Sequence, residues 1–282
     1  MQLITTTQDL RAAIGVPRGT TFVPTMGALH EGHASLVRQA SGHARAHKLR
    51  HSVVSIFVNP TQFNDATDLD RYPRTLDADL ALCERAGATI VFVPEVNEVY
   101  PNVPQNGAAV QALILPEVAY LPKLEDAHRP GHFAGVCQVV ARLFELVQPA
   151  ASFFGEKDWQ QLQVIRTMTK LLDLPVEIIA GITIREADGL AMSSRNRFLS
   201  SEERANALAI SRALRKASTH DSFLSAEEAM REVLLSAGAA IDYAVIRDAE
   251  TLMRFIPGRP GRAIITARFG KIRLLDNTAW GA

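Results

Sequence analysis

No uninterrupted apolar run in this 282-residue chain approaches the ~20 residues of a membrane-spanning helix. No span is therefore expected, and the apolar residues belong to a core. Charge of one sign is also missing, since 30 basic and 30 acidic residues cancel. The broad basic field of a nucleic-acid binder is thus absent, although a local basic site remains compatible with neutrality. Cysteine is scarce. Cys83 and Cys137 sit in apolar helical patterns, which suits buried thiols in a reducing compartment; their spacing neither supports nor excludes a disulfide. The opening residues MQLITTTQDLRAAI lack a basic stretch followed by a long apolar one, so no signal peptide is expected. Neither a P-loop, a complete GxGxxG nor an HExxH occurs, which disfavours a kinase, a dehydrogenase and a zinc site. What remains is a cytoplasmic mixed α/β protein, with ordinary shares of apolar (47%) and charged (21%) residues.

What is present is organised around Thr21 to His33, TFVPTMGALHEGH. An apolar β run ends in a glycine turn, and a helix opens with His30 and His33. Backbone N–H groups at such a helix start are unpaired, and the dipole there favours an anion. The periodicity predicts strands over 19–25, 52–58, 88–93, 152–154 and 176–183. It predicts helices over 31–47, 76–86, 132–147 and 159–172. Strands that are apolar throughout and alternate with helices predict a Rossmann-like, doubly wound parallel sheet with ligands beyond the strands' carboxyl ends. The stretch from Glu95 to His128 is irregular. After Ser200 the pattern changes to two helices with capping boxes, Ser200 to Glu203 and Ser225 to Glu228. Strands over 242–246, 263–269 and 272–275 follow, the last two joined at Phe269-Gly270-Lys271. A smaller C-terminal α+β unit is expected, with the boundary near Gly181: 1–180 and 181–282.

Five clusters at predicted strand ends can carry chemistry. His30 and His33, three apart, can lean over one face and meet phosphate charge. Solvated histidines at a helix start are the plain alternative, and Pro24, Gly27 and Gly32 tilt the case towards a binding turn. Asn59 and Gln62, in NPTQF, offer uncharged amides to hydroxyl and carboxylate groups; an ordinary Asn-Pro turn is the simpler reading of that stretch alone. Arg129 and His132, in RPGHF, can face an anion from a helix start, or Pro130 and Gly131 can merely form the helix entry. In GEKDWQQ, Lys157 offers a cation, Asp158 can cap the helix, and at most one of Gln160 and Gln161 faces the site. Ser193, Ser194 and Arg195 suit a polyphosphate leaving group. Together these supply anion donors of several kinds around one place.

At this point PTMGALHEGH, FVNPTQF, RYPR, RPGHFAGV, GEKDWQQL, IREADGLAMSSRN and ARFGKIRLLDN match, in order and spacing, the pantothenate synthetase (pantoate–β-alanine ligase) family. The chain resembles that family over nearly its whole length, and PTMGALHEGH is similar to the HIGH motif of adenylate-forming enzymes. The resemblance implies an AMP-forming ligase that joins pantoate to β-alanine through a pantoyl adenylate. ATP is a substrate with Mg2+ as its counter-ion, and the enzyme is a homodimer. Carried over by position, Met26, Gly27, Ala28, Leu29, His30, Glu31, Gly32 and His33 line the ATP site. Gly155, Glu156, Lys157 and Asp158 hold the nucleotide, Ile184 sits at the adenine, and Met192, Ser193, Ser194 and Arg195 resemble the KMSKS-like loop. His33, His30, Lys157 and Arg195 carry the chemistry, His33 as the residue assigned proton donation. Gln62 and Gln161, with Asn59, Tyr72, Arg129 and His132, meet pantoate and β-alanine. Position 191 is Ala, so the loop lacks the leading lysine of KMSKS, and phosphate charge falls to Lys157 and Arg195. Ala134 and LEDAH also depart from the family pattern. No dedicated protein ligand for Mg2+ is nominated. Asp77 and Asp79 qualify by type alone, and a solvated helix face is the preferred reading. The rivals are a nucleotidylyltransferase with the same histidine motif and a nucleotide-binding module without catalysis.

Overall fold

The computed structural model describes residues 1–62, 73–101 and 114–281. Its larger sheet holds six strands: β1 (Gln2–Ile4), β2 (Thr20–Thr25), β3 (His51–Ile56), β4 (Ile90–Phe92), β5 (Ala151–Gly155) and β6 (Glu177–Gly181). They lie in the order β1-β4-β3-β2-β5-β6, and every pairing is parallel. Phe22, Val23, Val53, Val54, Ile90, Val91 and Phe92 are all 0% exposed. Such strands read as unbroken apolar runs because helices cover both faces. Phe22 and Val53 join one layer with residues of α1 (Thr7–Ile14), α6 (His132–Val147) and α7 (Trp159–Leu171). Val23 and Val54, one position on, join the other with α2 (Glu31–Ala46) and α3 (Leu76–Ala86). The doubly wound reading holds.

The strand order places the site. From β2 the chain winds outwards through β3 and β4, then crosses back to lay β5 on the opposite side of β2. Pairing between β2 and β5 spans only Thr21↔Ala151 and Phe22↔Ser152. Beyond it β2 follows β3 to Thr25, and β5 follows β6 to Gly155. The two strands part at their carboxyl ends, at the topological switch point where such sheets bind ligands.

After Gly181 the fold becomes α+β. The smaller sheet is an antiparallel meander of β7 (Ala240–Asp248), β8 (Gly261–Phe269) and β9 (Ile272–Trp280). Helices α8 (Ser201–Ala217) and α9 (Phe223–Ser236) pack on one of its faces. Tyr243, Val245 and Ile264 on the other face join the core of the parallel sheet.

Several expectations need correction. The N-terminal β1 and α1 lie outside the predicted elements: a three-residue strand leaves no readable period, and the eight-residue α1 buries only Leu10 and Ile14. The capping box at Ser200 forms in both directions, at 2.8 and 3.2 Å. The one at Ser225 does not: α9 already begins at Phe223, and the Ser225 hydroxyl donates to the Ser222 carbonyl instead. Cys83 and Cys137 are free and buried, and burial pushes both thiols up to about 12. No helix among the described residues is long and apolar enough to cross a membrane. The short α4 (Val96–Val99) and α5 (Glu125–His128) fall within the stretch that reads as irregular.

Candidate active site

The loop from β2 to α2 is held from below. Gly27 (φ 84°) and Ala28 (φ 50°) both take left-handed backbone, which points consecutive N–H groups to one side. Asp79 meets them there: its Oδ2 accepts from Ala28 N–H at 2.9 Å and its Oδ1 from Leu29 N–H at 2.8 Å. Thr75 Oγ1 donates to the same Oδ1 at 3.2 Å. A Cβ on residue 27 would stand 3.0 Å from Asp79 Oδ2, so glycine there answers both the φ and the close approach. Asp79 is 2% exposed. This corrects both sequence readings of Asp79, the solvated face and the magnesium ligand. It is an internal anion that shapes the loop.

His30 and His33 cap α2 reciprocally. The Nδ1 of His30 accepts from Gly32 N–H at 3.1 Å, and the Nδ1 of His33 accepts from His30 N–H at 3.2 Å. Each ring satisfies a helix-start donor, in the pattern of a capping box. With Nδ1 occupied as an acceptor, the proton of each neutral ring sits on Nε2. The rings lie 4.2 Å apart, centre to centre. Burial, then the charge of Lys157, lowers His30 to about 4. Burial, then the charges of His30 and Lys157, lowers His33 to about 3. At neutral pH both are uncharged N–H donors and not cations. Glu31, by contrast, pairs with Arg38 on the exposed side of α2, and so does not face the cleft.

Across the cleft, the turn from β5 to α7 brings Lys157, whose charge reaches both imidazoles. The smaller sheet fixes this turn. Asn277 Nδ2 donates to the carbonyls of Glu156 (3.0 Å) and Lys157 (2.7 Å). Arg262 donates to Asn277 Oδ1 at 2.6 Å, pairs with Glu156 at 3.3 Å and stacks 3.6 Å over the Trp159 ring. Glu156 is therefore spent on structure. Asp158 stands at the N-cap of α7 but makes no capping hydrogen bond, and its charge acts on His30, Arg129 and His132. Of the two glutamines, Gln160 is buried and bonded to Glu125 N–H, Val118 O and Asp126. That leaves Gln161 as the half-exposed one.

The third wall joins three segments. Asn59, 1% exposed, donates to Gln62 Oε1 (3.3 Å) and Gly135 O (3.1 Å), and accepts from Tyr100 OH (3.1 Å) and Thr61 Oγ1 (3.1 Å). Its amide is committed on both sides, which corrects the expectation that it meets a substrate. Gln62 keeps contact with the β2–α2 loop, its Nε2 meeting Met26 Sδ. Its carbonyl lies 3.3 Å from His132 Nδ1, and His132 Nε2 lies 3.0 Å from Arg129 Nη1. A carbonyl only accepts, so His132 carries its proton on Nδ1 and takes the guanidinium's hydrogen bond on Nε2. Burial and Arg129 lower its ring to about 4. Gly135 of α6 makes this join possible, because a Cβ there would lie 2.6 Å from Thr61 O and 2.7 Å from Gln62 Cα. Tyr72 lies outside the described residues.

The loop after β6 closes the circle as a small hairpin. Met192 N–H donates to Ile184 O and Glu186 N–H to Leu190 O, at 2.9 and 2.8 Å. Arg185 forks onto Asp276 of β9 at 2.5 and 3.0 Å. Asn196 Nδ2 donates to Glu186 Oε1 at 2.7 Å. Ser193 Oγ accepts from Arg195 N–H at 3.3 Å, ordering Ser193, Ser194 and Arg195 in a tight turn. Met192 faces the start of α2 near Gly32. Arg195 and Arg129 are close enough that, after burial, Arg195 is the largest influence lowering Arg129. Gly135, Glu186, Arg262 and Asn277 are not singled out by the sequence as site residues, and Asp79 is named there only by type and for another role. Asp79, Gly135, Arg262 and Asn277 act on loops distant in sequence, and a single chain gives no signal of that pairing; Glu186 ties its own loop together through Asn196.

A doubly wound parallel sheet, a histidine-capped helix at its switch point and cations converging from other loops define an α/β protein with anion donors gathered where such sheets bind ligands. Residues 2–279 match the family model described as pantoate-beta-alanine ligase. A pantothenate synthetase of Nocardioides sp. is 49% identical over 268 residues, covering 91% of this chain and 77% of the relative. The crystal structure of pantothenate synthetase from Thermus thermophilus superposes with a TM-score of 0.87 at 43% identity, covering 99% of both chains. The pantoate-beta-alanine ligase of Francisella tularensis, solved with beta-gamma ATP and beta-alanine, gives 0.78 at 30% identity over 99% of this chain and 97% of that one. The chain belongs to the pantoate–β-alanine ligase family.

Proposed function

We propose that this chain condenses pantoate with β-alanine, consuming ATP and releasing AMP and pyrophosphate. The observation that carries the residue assignment is the neutral histidine pair, whose Nε2–H donors stand opposite Lys157 at the switch point. In the first step a carboxylate oxygen of pantoate attacks the α-phosphorus. The bond from that phosphorus to the bridging oxygen breaks, and pyrophosphate leaves. His30 and His33 hydrogen-bond the charge that grows on the phosphate oxygens, while Lys157 and Arg195 neutralise it. A ring lowered to about 3 holds no spare proton at neutral pH, so His33 acts by hydrogen bonding and not as an acid. In the second step the neutral β-alanine amine attacks the acyl carbon, the bond from that carbon to the adenylate oxygen breaks, AMP departs, and the surplus proton of the new amide passes to water.

Gln62, Gln161, Arg129 and His132 form the acid-substrate pocket in this reading. Asn59 is withdrawn from it, since its hydrogen bonds are already used. Mg2+ enters as the counter-ion of ATP, held by phosphate oxygens and water as hard cations prefer. Among the described residues no three His, Cys, Asp or Glu side chains group as a metal site. The reading also takes in a homodimer, which the family resemblance supports, a cytoplasmic setting, which the composition supports, and a division into a catalytic unit (1–180) and a smaller unit (181–282), which the change of pattern along the chain supports. With ATP, Mg2+ and pantoate the purified protein should release pyrophosphate, and adding β-alanine should give turnover to AMP and amide. Pyrophosphate without amide product would instead indicate a nucleotidylyltransferase and sink the ligase reading.

A further inference from the structure

Arg129 and His132 approach the cleft from a segment with little strength of its own. They follow α5, a helix of four residues, far below the length at which a helix holds itself. Arg129 N–H donates to the Glu125 carbonyl at 2.8 Å, and His132 N–H to the Arg129 carbonyl at 3.1 Å. The placement of both therefore depends on Glu125. Glu125 is buried, 7% exposed, and its carboxylate meets side chains of the antiparallel sheet. There Arg273 forks onto it at 2.7 and 2.6 Å, Tyr243 OH donates at 2.6 Å, and Thr266 Oγ1 lies 3.4 Å away. Arg273 also gives its Nε to Asp242 at 2.6 Å. On the backbone side, Gln160 accepts the Glu125 N–H at 2.9 Å.

We propose that Glu125 is a positioning residue for the acid substrate: forked by Arg273 and bonded by Tyr243, it locks α5 so that Arg129 is aimed at the pantoate carboxylate. The inference rests on the pantoate reading given above. The fork is of the strong, directional kind, and it joins β9 of the smaller sheet to the chain four residues before Arg129. Burial alone would raise the Glu125 carboxyl; the hydrogen bonds and charge of Arg273, with Tyr243, override it and bring the group to about 2. Glu125 is thus an anion throughout the physiological range. Its charge also supports Arg129, which stands against the like charge of Arg195. One carboxylate fixes the direction of a guanidinium and offsets the repulsion that would turn it aside.

The test compares the native protein with Glu125→Gln, Glu125→Asp, Arg129→Ala and the double variant Glu125→Gln/Arg129→Ala. Pantoate-dependent pyrophosphate release and thermal unfolding are measured for each. Glu125→Gln is expected to raise KM for pantoate ~10-fold or more while KM for ATP stays within about twofold, with Glu125→Asp in between. The double variant should be little worse than Arg129→Ala alone, because residues acting through one another are non-additive. Unchanged KM for pantoate at a lowered Tm, or additive effects in the double variant, would overturn the inference. If Glu125→Gln does not fold, Arg273→Lys, which keeps the charge but loses the fork, is read by the same criteria. Absence of pantoate-dependent pyrophosphate in the native protein sinks the functional reading itself, whereas a working native enzyme indifferent to Glu125→Gln sinks this inference alone.

Discussion

Helix α2 carries a pair of adjacent histidine rings at each end, tilted at 49° at its start and stacked at 18° at its end, and only the first pair belongs to the cleft. His30 and His33 have ring centres 4.2 Å apart, and His43 and His47 3.9 Å apart. Ring proximity therefore does not distinguish them. The backbone does. At the helix start the free groups are N–H donors, which take the Nδ1 lone pairs and leave Nε2–H pointing outwards. At the helix end carbonyls are what the terminus presents, and His43 O, which accepts the His47 backbone N–H, also accepts from His47 Nδ1 at 3.0 Å. The first pair thus presents donors to an anion at the carboxyl ends of the strands. The second lines a cavity of about 440 Å³ at their amino ends, with Arg18, Leu49 and Glu177. A histidine pair takes its chemical character from the helix terminus it caps.

The sharpest break of this comparison is to remove one ring from each pair. His33→Ala takes away a donor to the growing phosphate charge and is expected to slow adenylation ~10²-fold or more. His47→Ala, an exposed residue at the far pole, should leave the rate within about twofold. Pantoate-dependent pyrophosphate release measures both. Equal losses would mean that the histidines at the helix start act through folding and not on phosphate.

Much of this architecture was legible. The apolar runs and the helix starts predicted the parallel sheet, and the bounds of α3 and α6 agree with the periodicity to the residue. The glycine turn and paired histidines likewise predicted the strand-to-helix turn of the β2–α2 loop, which the structure places at the switch point. Less legible was whether a polar side chain serves the ligand or the fold. Asn59 and Gln62 read alike, yet one is spent on Tyr100 and Gly135 while the other reaches Met26 of the β2–α2 loop. Gln160 could have been separated from Gln161, since it shares the buried face of α7 with Val164 and Met168 at intervals of four. Asp79 and Asn277 could not. Each satisfies backbone groups of a loop more than 45 residues away, a pairing that only the folded chain brings about.

A smaller effect separates the supports of the two ends. Asp79→Asn turns an amide N–H towards donors that now find a carboxylate oxygen, leaving a buried N–H unpaired at a cost of ~1–3 kcal/mol. Because the weakened contact holds Ala28 and Leu29, the loss should appear in Tm and also as a ~10-fold slower adenylation. Ser41, further along α2, donates to Gly87 O at 2.8 Å. Ser41→Ala removes that hydrogen bond for about 1 kcal/mol and should leave the rate intact. A rate loss for Ser41→Ala, or none for Asp79→Asn, would erase the distinction between a helix end that positions chemistry and one that only packs.

The smallest and most specific effect lies in the protons themselves. In the unfolded chain His30 and His33 titrate at their ordinary value of 6.5, whereas in the fold they stay neutral down to about 4 and about 3. Between these limits the unfolded chain binds more protons. The stability these rings contribute is therefore complete above pH 6.5 and is lost as the pH falls towards 3. At constant ionic strength, the acid side of the adenylation profile should then show no histidine step near 6.5 from this pair. Nitrogen-15 spectra of the folded protein at pH 7 should report Nε2–H for His30 and His33 and Nδ1–H for His47. An Nδ1–H signal at His33, or protonation of its ring near 6.5, would mean that the backbone of α2 does not set the tautomer and would return the general-acid role to that residue.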